Sequence, residues 1–310
     1  MRAHDSAIQS STIAVGTQGA TTDERVNGTI RAALGVVCFS LSFPATVWAL
    51  DGFGPWTSTG LRGLLAAVLA AVCLKAGRVP LPARRHWPGL VAVALGCVLG
   101  FPLLTTLALQ TSSTAHTAVV VGLLPLATAT VAALRSRTRL SRTFWGAALG
   151  GAAVVLAFTL QQSGGAFSLA DLYLAGALLV CAIGYAEGGR LAREMAGWQV
   201  IAWAVVVAAP LMAVVTALAL PAEPAQLTLR SVTGLAYVAA VSQFGGFVLW
   251  YRGMAQIGVP RASQLQLAQP LLTLFWAVLL LSEELPLAAP LTALGVLACI
   301  AITQRARTKG

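Results

Sequence analysis

Charge is scarce in this chain. Only 10% of its 310 residues are charged, and Asp and Glu together number ten against twenty Lys and Arg. Soluble domains carry about a quarter charged residues, so a water-solvated globule is excluded. Cysteine is sparse as well. Cys38, Cys73, Cys97, Cys181 and Cys299 form no CxxC pair and no metal-ligand spacing, and they read as small apolar packing residues. The patterns GxxxxGK[ST], HExxH and GxSxG are absent, and no paired Asp residues lie in a hydrophobic segment. The chain therefore brings no ATP motor and no equipment for intramembrane hydrolysis. The expectation is a non-enzyme with no catalytic residue, no metal site and no cofactor.

Apolar surface is what the chain has in excess. Hydrophobic residues make up 57% of it, and mean hydropathy is +0.80. A helix needs about 20 apolar residues to cross the hydrocarbon core of a bilayer. Ten segments of about that length can be marked, at 29–50, 56–75, 88–109, 114–134, 143–161, 169–188, 198–220, 231–252, 262–282 and 286–303. Lipid leaves no partner for an unpaired backbone amide, so each segment must satisfy its own hydrogen bonds as a helix. The predicted fold is an all-α integral membrane protein of ten transmembrane helices.

The chain also reads itself twice. Gly89-Leu90 recurs as Gly234-Leu235, Pro125 as Pro270, and Ala148-Leu149-Gly150 as Ala293-Leu294-Gly295, always 145 residues on. Upstream, Val37-Cys38 falls on Val180-Cys181 at an offset of 143, one small indel away. Two five-helix repeats follow, 28–161 and 168–304. Five is odd, so the second repeat enters the membrane from the opposite face and the pair is inverted. Inverted repeats are an architecture of secondary transporters, with the substrate held between the halves.

Charge placement gives the orientation. With the N-terminus in the cytoplasm, the inner connections hold Lys75, Arg78, Arg84 and Arg85, then Arg135, Arg137, Arg139 and Arg142, then Arg190 and Arg193, then Arg252 and Arg261. The outer connections hold only Arg230, beside Asp51, Asp171, Glu223, Glu283 and Glu284. This is the bias of the positive-inside rule, and it sets both termini inside. The net charge of +10 is spread over four loops and two tails, which suits anionic lipid contact and not nucleic acid. Residues 1–27 are rich in Ser, Thr and Gly and read as a disordered cytoplasmic tail.

Ten helices, an inverted five-helix repeat and a proline midway along the fourth helix of each repeat resemble the drug/metabolite transporter superfamily in its EamA-type form. The second repeat adds Glu283-Glu284 after Pro270 and then Ala293-Leu294-Gly295, while Arg62 precedes Gly63-Leu64-Leu65-Ala66-Ala67 on helix 2. The resemblance covers roughly residues 28–304 and is most similar to the aromatic amino acid exporter branch. The first repeat departs from it, with Thr138-Arg139 where the family usually has Glu. The resemblance implies an exporter of small metabolites in a bacterial-type inner membrane, acting as a monomer on a small-molecule substrate.

Polar residues within spans are costly and therefore candidate site residues. Helix 9 carries Gln264, Gln266 and Gln269, with Gln266, Gln269, Pro270 and Thr273 on one helical face. Helix 8 carries Ser242 and Gln243. An amide both donates and accepts, which suits the carboxylate and the ammonium of a zwitterion; bonding across a helix interface is the competing role. Among the deep aromatics, Phe43 and Tyr185 are the candidate walls for an apolar or aromatic substrate side chain. Pro125 and Pro270 each remove a backbone donor, which suits a hinge. Arg62 is expected to snorkel outward or cap a helix, in a structural or gating role. His116, near the outer end of helix 4, is the candidate coupling residue, competing with a solvated or hydrogen-bonded loop-end role. Glu187 beside Arg190 reads as a membrane-surface ion pair. The spacings Gly96–Gly100, Gly146–Gly150 and Gly184–Gly188 mark close helix packing.

Two function classes follow. The first is a secondary transporter exporting amino acids with apolar or aromatic side chains by alternating access around a central cavity. The alternative is a channel-like pore or a non-transporting membrane subunit. No carboxylate lies at mid-span, so substrate is expected to equilibrate without an imposed ion gradient.

Overall fold

The computed structural model describes residues 22–136, 141–162, 167–223, 225–257 and 265–307. Ten apolar helices form the described structure, α1 (Arg25–Leu50), α2 (Pro55–Ala76), α3 (Arg84–Ala108), α4 (Thr114–Arg135), α5 (Arg142–Gln161), α6 (Leu169–Leu191), α7 (Gly197–Ala219), α8 (Leu229–Met254), α9 (Gln269–Leu281) and α10 (Ala288–Ile302). The first eight are long and apolar enough to cross a membrane; α9 and α10 are shorter. Large apolar side chains such as Val68, Leu149 and Leu218 stand exposed on the outside of the bundle, where lipid is the natural solvent. The polar tail was expected to run to residue 27, but a helix already starts at Thr22.

Packing follows the repeat. Helix α1 lies along α8 and α6 along α3, while α2 pairs with α7, α5 with α10 and α4 with α9. Moving each helix five places on exchanges the first two pairs and returns the last three to themselves, as a two-fold relation between repeats requires. Small residues set these contacts. A Cβ on Gly96 would sit 3.1 Å from Gly184 Cα, and one on Gly63 would sit 2.7 Å from Met212 Cγ. Such close backbone approach is how helices associate where lipid removes the hydrophobic drive. Gly146 is an exception to the expected glycine packing, since it faces open space.

The helices are not regular, and their irregularities repeat. Ala94–Gly100 in α3 and Tyr237–Gly245 in α8 are π-helical. Phe101 donates its amide to Gly96 O, and Gly246 donates to Val241 O, both five residues back and 145 residues apart. Each segment ends on glycine. A Cβ on Gly100 would meet Leu95 O at 2.7 Å and one on Gly245 would meet Ala240 O at 3.0 Å, so the widened turn leaves no room for a side chain. Helix α4 turns at Gly122–Leu123 and resumes at Leu124-Pro125, while Leu267–Ala268 turn before α9 begins at Gln269-Pro270. π-turns and broken spans concentrate at functional sites in membrane helices.

Broken backbone inside a membrane must be satisfied by neighbours. Pro44 has no amide to give Ser40 O, and Thr273 Oγ1 on α9 donates there instead at 3.0 Å. Tyr237 Oη donates to Cys38 O at 3.1 Å across the α1–α8 contact.

Candidate functional site

Where the π segments of α3 and α8 meet the broken regions of α4 and α9, a cavity of about 70 Å³ opens at the centre of the bundle. Its walls include Phe43 of α1, Tyr185 of α6, Ser242 and Gln243 of α8, and Gln266 and Gln269 at the start of α9. These six expected substrate contacts come from four regions of the chain and both repeats, and the fold gathers them on one cavity. Gln264 lies outside the described residues. Pro125 and Pro270 line an adjoining pocket between α4 and α9, which shares Phe43, Gln266 and Gln269 with the central cavity.

The polar atoms on the wall divide into spent and unspent. Ser42 and Ser242 hydroxyls bond each other at 2.7 Å, Thr46 Oγ1 donates to Ser42 O at 2.8 Å, and Thr105 Oγ1 donates to Phe101 O at 2.8 Å. Gln243, only 2% exposed, leaves its amide nitrogen buried without a partner. Arg62 was expected to snorkel outward or cap a helix, in a structural or gating role. It is 6% exposed instead, lines the cavity, and its buried Nε has no partner. Helix α2 begins only two turns before it and packs tightly on α7 through Gly60 and Gly63, so the guanidinium is turned inward.

Sequence reasoning missed several wall residues. Ser42 was readable, since the 143 offset sets it opposite Tyr185. Cys97 and Cys181, read as packing residues, line the cavity, and Cys97 reaches Cys181 O at 3.9 Å across the α3–α6 contact. No spacing in the sequence marks that pair.

His116 is neither in the cavity wall nor in solvent. It is 6% exposed, its Nε2 lies 2.7 Å from Asp171 Oδ1 on α6, and its ring stacks on Phe158 of α5 at 5.6 Å. Ser168 and Asp171 form a capping box at the start of α6, which holds the carboxylate in place. Glu283 was noted as an acidic residue of the outer connections and as a family feature. It accepts the Thr114 and Ala115 amides at 2.9 and 3.1 Å and so caps α4. Thr138 and Arg139, its counterparts in the first repeat, lie outside the described residues.

The basic end of the bundle carries a second network. Glu187 is 4% exposed, deeper than a surface pair, and bonds both Arg190 and Arg135 of α4. Glu194 bonds Arg190 at 3.0 Å and His86 Nε2 at 2.9 Å. That hydrogen bond, with the Arg85 and Arg190 charges beside it, holds the Glu194 carboxyl below its usual range. Next to this network is a vestibule of about 510 Å³ lined by Thr128, Tyr185, Arg190, Arg193 and Tyr251. Tyr185 is common to the vestibule and the central cavity. The cleft at the acidic end, walled by Asp51, Trp56, Gln110 and Glu223, shares no residue with the cavity.

Comparison with known proteins agrees with this geometry. Residues 26–159 and 168–304 each match the EamA-like transporter family. The chain is 41% identical to the uncharacterized transporter YdeK of Bacillus subtilis (strain 168) over 283 residues, 91% of this chain and 99% of the relative. Its fold is similar to a solved crystal structure of a protein at a TM-score of 0.63 and 20% identity, covering 89% of this chain and 97% of that one.

Proposed function

From its membership of the EamA-like transporter family, which makes this chain a multi-pass membrane transporter of a small-molecule substrate, we propose that it exports amino acids with apolar or aromatic side chains by alternating access around the central cavity. The observation that carries this reading is the composition of that cavity. Phe43 and Tyr185 offer an aromatic wall, Gln243, Gln266 and Gln269 offer amides, and both repeats contribute. The membrane is a bacterial-type inner membrane, with both termini in the cytoplasm.

A cavity of about 70 Å³ is well under the roughly 300–1,000 Å³ of sites that enclose small organic ligands. The bundle must open to load. Tyr185 lines both the cavity and the basic-end vestibule, whereas the acidic-end cleft shares no residue with the cavity, which supports the basic end as the entry in this conformation. An open pore would have no such asymmetry. Rocking of one repeat against the other would exchange the two ends, with the turns before Pro125 and Pro270 as hinges and the Glu187–Arg135 contact as a link that changes.

The test is flux of labelled phenylalanine, leucine and lysine in proteoliposomes, together with accessibility of tags in intact cells. Saturable movement of phenylalanine and leucine is expected, with tags in 163–168 and 222–226 accessible and those in 76–86 and 135–142 shielded. Absence of saturable flux, or a reversed labelling pattern, rejects the reading.

A further inference from the structure

The central cavity is electrically one-sided. Among the described residues its wall holds one cation, Arg62, and no Asp or Glu. Among the described residues Arg62 has no ion pair, its Nε is without a hydrogen-bond partner, and it is buried. A charge taken out of water without a partner is strongly disfavoured, and inside a membrane such a residue usually faces a partner or a pathway. The second unpartnered donor, Gln243 Nε2, belongs to the π segment of α8, on which α2 packs. Of the hydroxyls on the wall, those of Ser42 and Ser242 bond each other, and those of Thr46 and Thr105 donate to backbone carbonyls. What the wall offers a ligand is therefore donors around a fixed positive charge.

Two further features have the same sign. Leu124–Ser136 and Gln269–Leu281 are 13-residue helical segments whose N-termini lie at the cavity, because Leu124 and Gln269 are both wall residues. Helix N-termini carry partial positive charge, and broken spans present it to anionic groups. The vestibule leading in carries Arg190 and Arg193; Arg190 is neutralised by Glu187 and Glu194, whereas Arg193 has no ion pair among the described residues. A basic entrance raises the local concentration of anions.

We propose that Arg62 and Gln243 form the anchor for a substrate carboxylate, so that the transported class is small carboxylates with an apolar or aromatic body, the amino group is dispensable, and cationic amines are excluded. This rests on the cavity being the transport site. It gives Arg62 a direct contact with substrate where the sequence suggested a gating role. The guanidinium supplies a planar fork matched to a carboxylate, and the aromatic wall takes the ring.

Three compounds with one ring separate the charges, namely phenylalanine, 3-phenylpropanoate and phenethylamine. Each is tested as a competitor of phenylalanine flux in proteoliposomes and as a thermal stabiliser of the detergent-solubilised protein. In the parent, 3-phenylpropanoate should compete at least about tenfold better than phenethylamine. Arg62→Gln should abolish that order, Arg62→Lys should retain part of it, and Gln243→Leu should weaken the two carboxylates without strengthening the amine. Because the readout is a ratio within one protein, reduced expression does not mimic it. If Arg62→Gln does not fold, Gln243→Leu and Arg62→Lys still decide. Equal competition by phenethylamine, an unchanged order in the folded variants, or no stabilisation by any of the three would overturn the assignment. Carboxylate-selective stabilisation without flux would sink the transport reading and leave the anchor standing.

Discussion

The two repeats share a backbone and divide the chemistry. The π-turns ending at Gly100 and Gly245 and the breaks before Pro125 and Pro270 fall in the same register, 145 residues apart. The side chains at equivalent wall positions do not match. Val98 stands where the second repeat has Gln243, Val121 where it has Gln266, and Leu124 where it has Gln269. In return, Arg62 of the first repeat falls on the valine run Val205–Val207 of the second. Duplication supplied two copies of an irregular scaffold whose bends have backbone causes. The second repeat brings the amides to the cavity, while the first brings Arg62 and the hydroxyls of Ser42, Thr46 and Thr105 beside apolar residues. Under the alternating access proposed above, symmetric hinges with asymmetric side chains would let both states use one site while the substrate is held in one orientation.

Exchange of equivalent residues is the sharpest way to break this comparison. Gln243→Val installs the first repeat's side chain in the second. Removing a hydrogen bond to a charged group costs about 1.5–3 kcal/mol, so transport should fall by about ten- to a hundredfold, with the melting temperature near the parent value. The reciprocal Val98→Gln should not rescue it, because Val98 is buried and does not line the cavity. Rescue would show that the division of labour is incidental, and a collapse of the melting temperature would make Gln243 packing glue.

A smaller effect is expected at the acidic end, where His116 of the first repeat meets Asp171 of the second. The position 145 residues on from His116 is Arg261, outside the described residues. Substrate should equilibrate in proteoliposomes at equal pH, an imposed gradient should change the flux severalfold, and His116→Gln should lose that response. Flux that occurs only under a gradient would reject equilibration. A response that survives in His116→Gln would remove the histidine from coupling.

The least effect is predicted for Glu283→Gln. Its two bonds to the α4 amides amount to a helix cap, worth about 1 kcal/mol. A slight drop in thermal stability is expected, with the parent's substrate order intact. Loss of transport at unchanged stability would instead make this contact part of the gate.

Helix count and repeat register were legible in the chain, as were six of the residues that line the central cavity, whereas Cys97 and Cys181 were not. A hydrophobic run long enough to cross a bilayer has one viable conformation there, because lipid supplies no hydrogen bonds. A register of 145 residues survives in a few identical positions because glycine and proline at bends are difficult to replace. Gln243, Gln266 and Gln269 were readable because an amide in a span is costly and so stands out. The direction in which Arg62 points was not readable. A guanidinium on a long stem can snorkel to the surface or turn inward, and only the packing of α2 on α7 through Gly60 and Gly63 decides it. The His116–Asp171 pair joins residues 55 apart on different helices, and Glu283 finds α4 across 169 residues of chain. The π segments leave no trace in hydropathy. Sequence alone determined which residues must leave water and how the halves correspond, since both depend on composition and spacing. Tertiary structure decided which polar atoms find partners and which stay free for a ligand, because that depends on distances between helices no local pattern encodes.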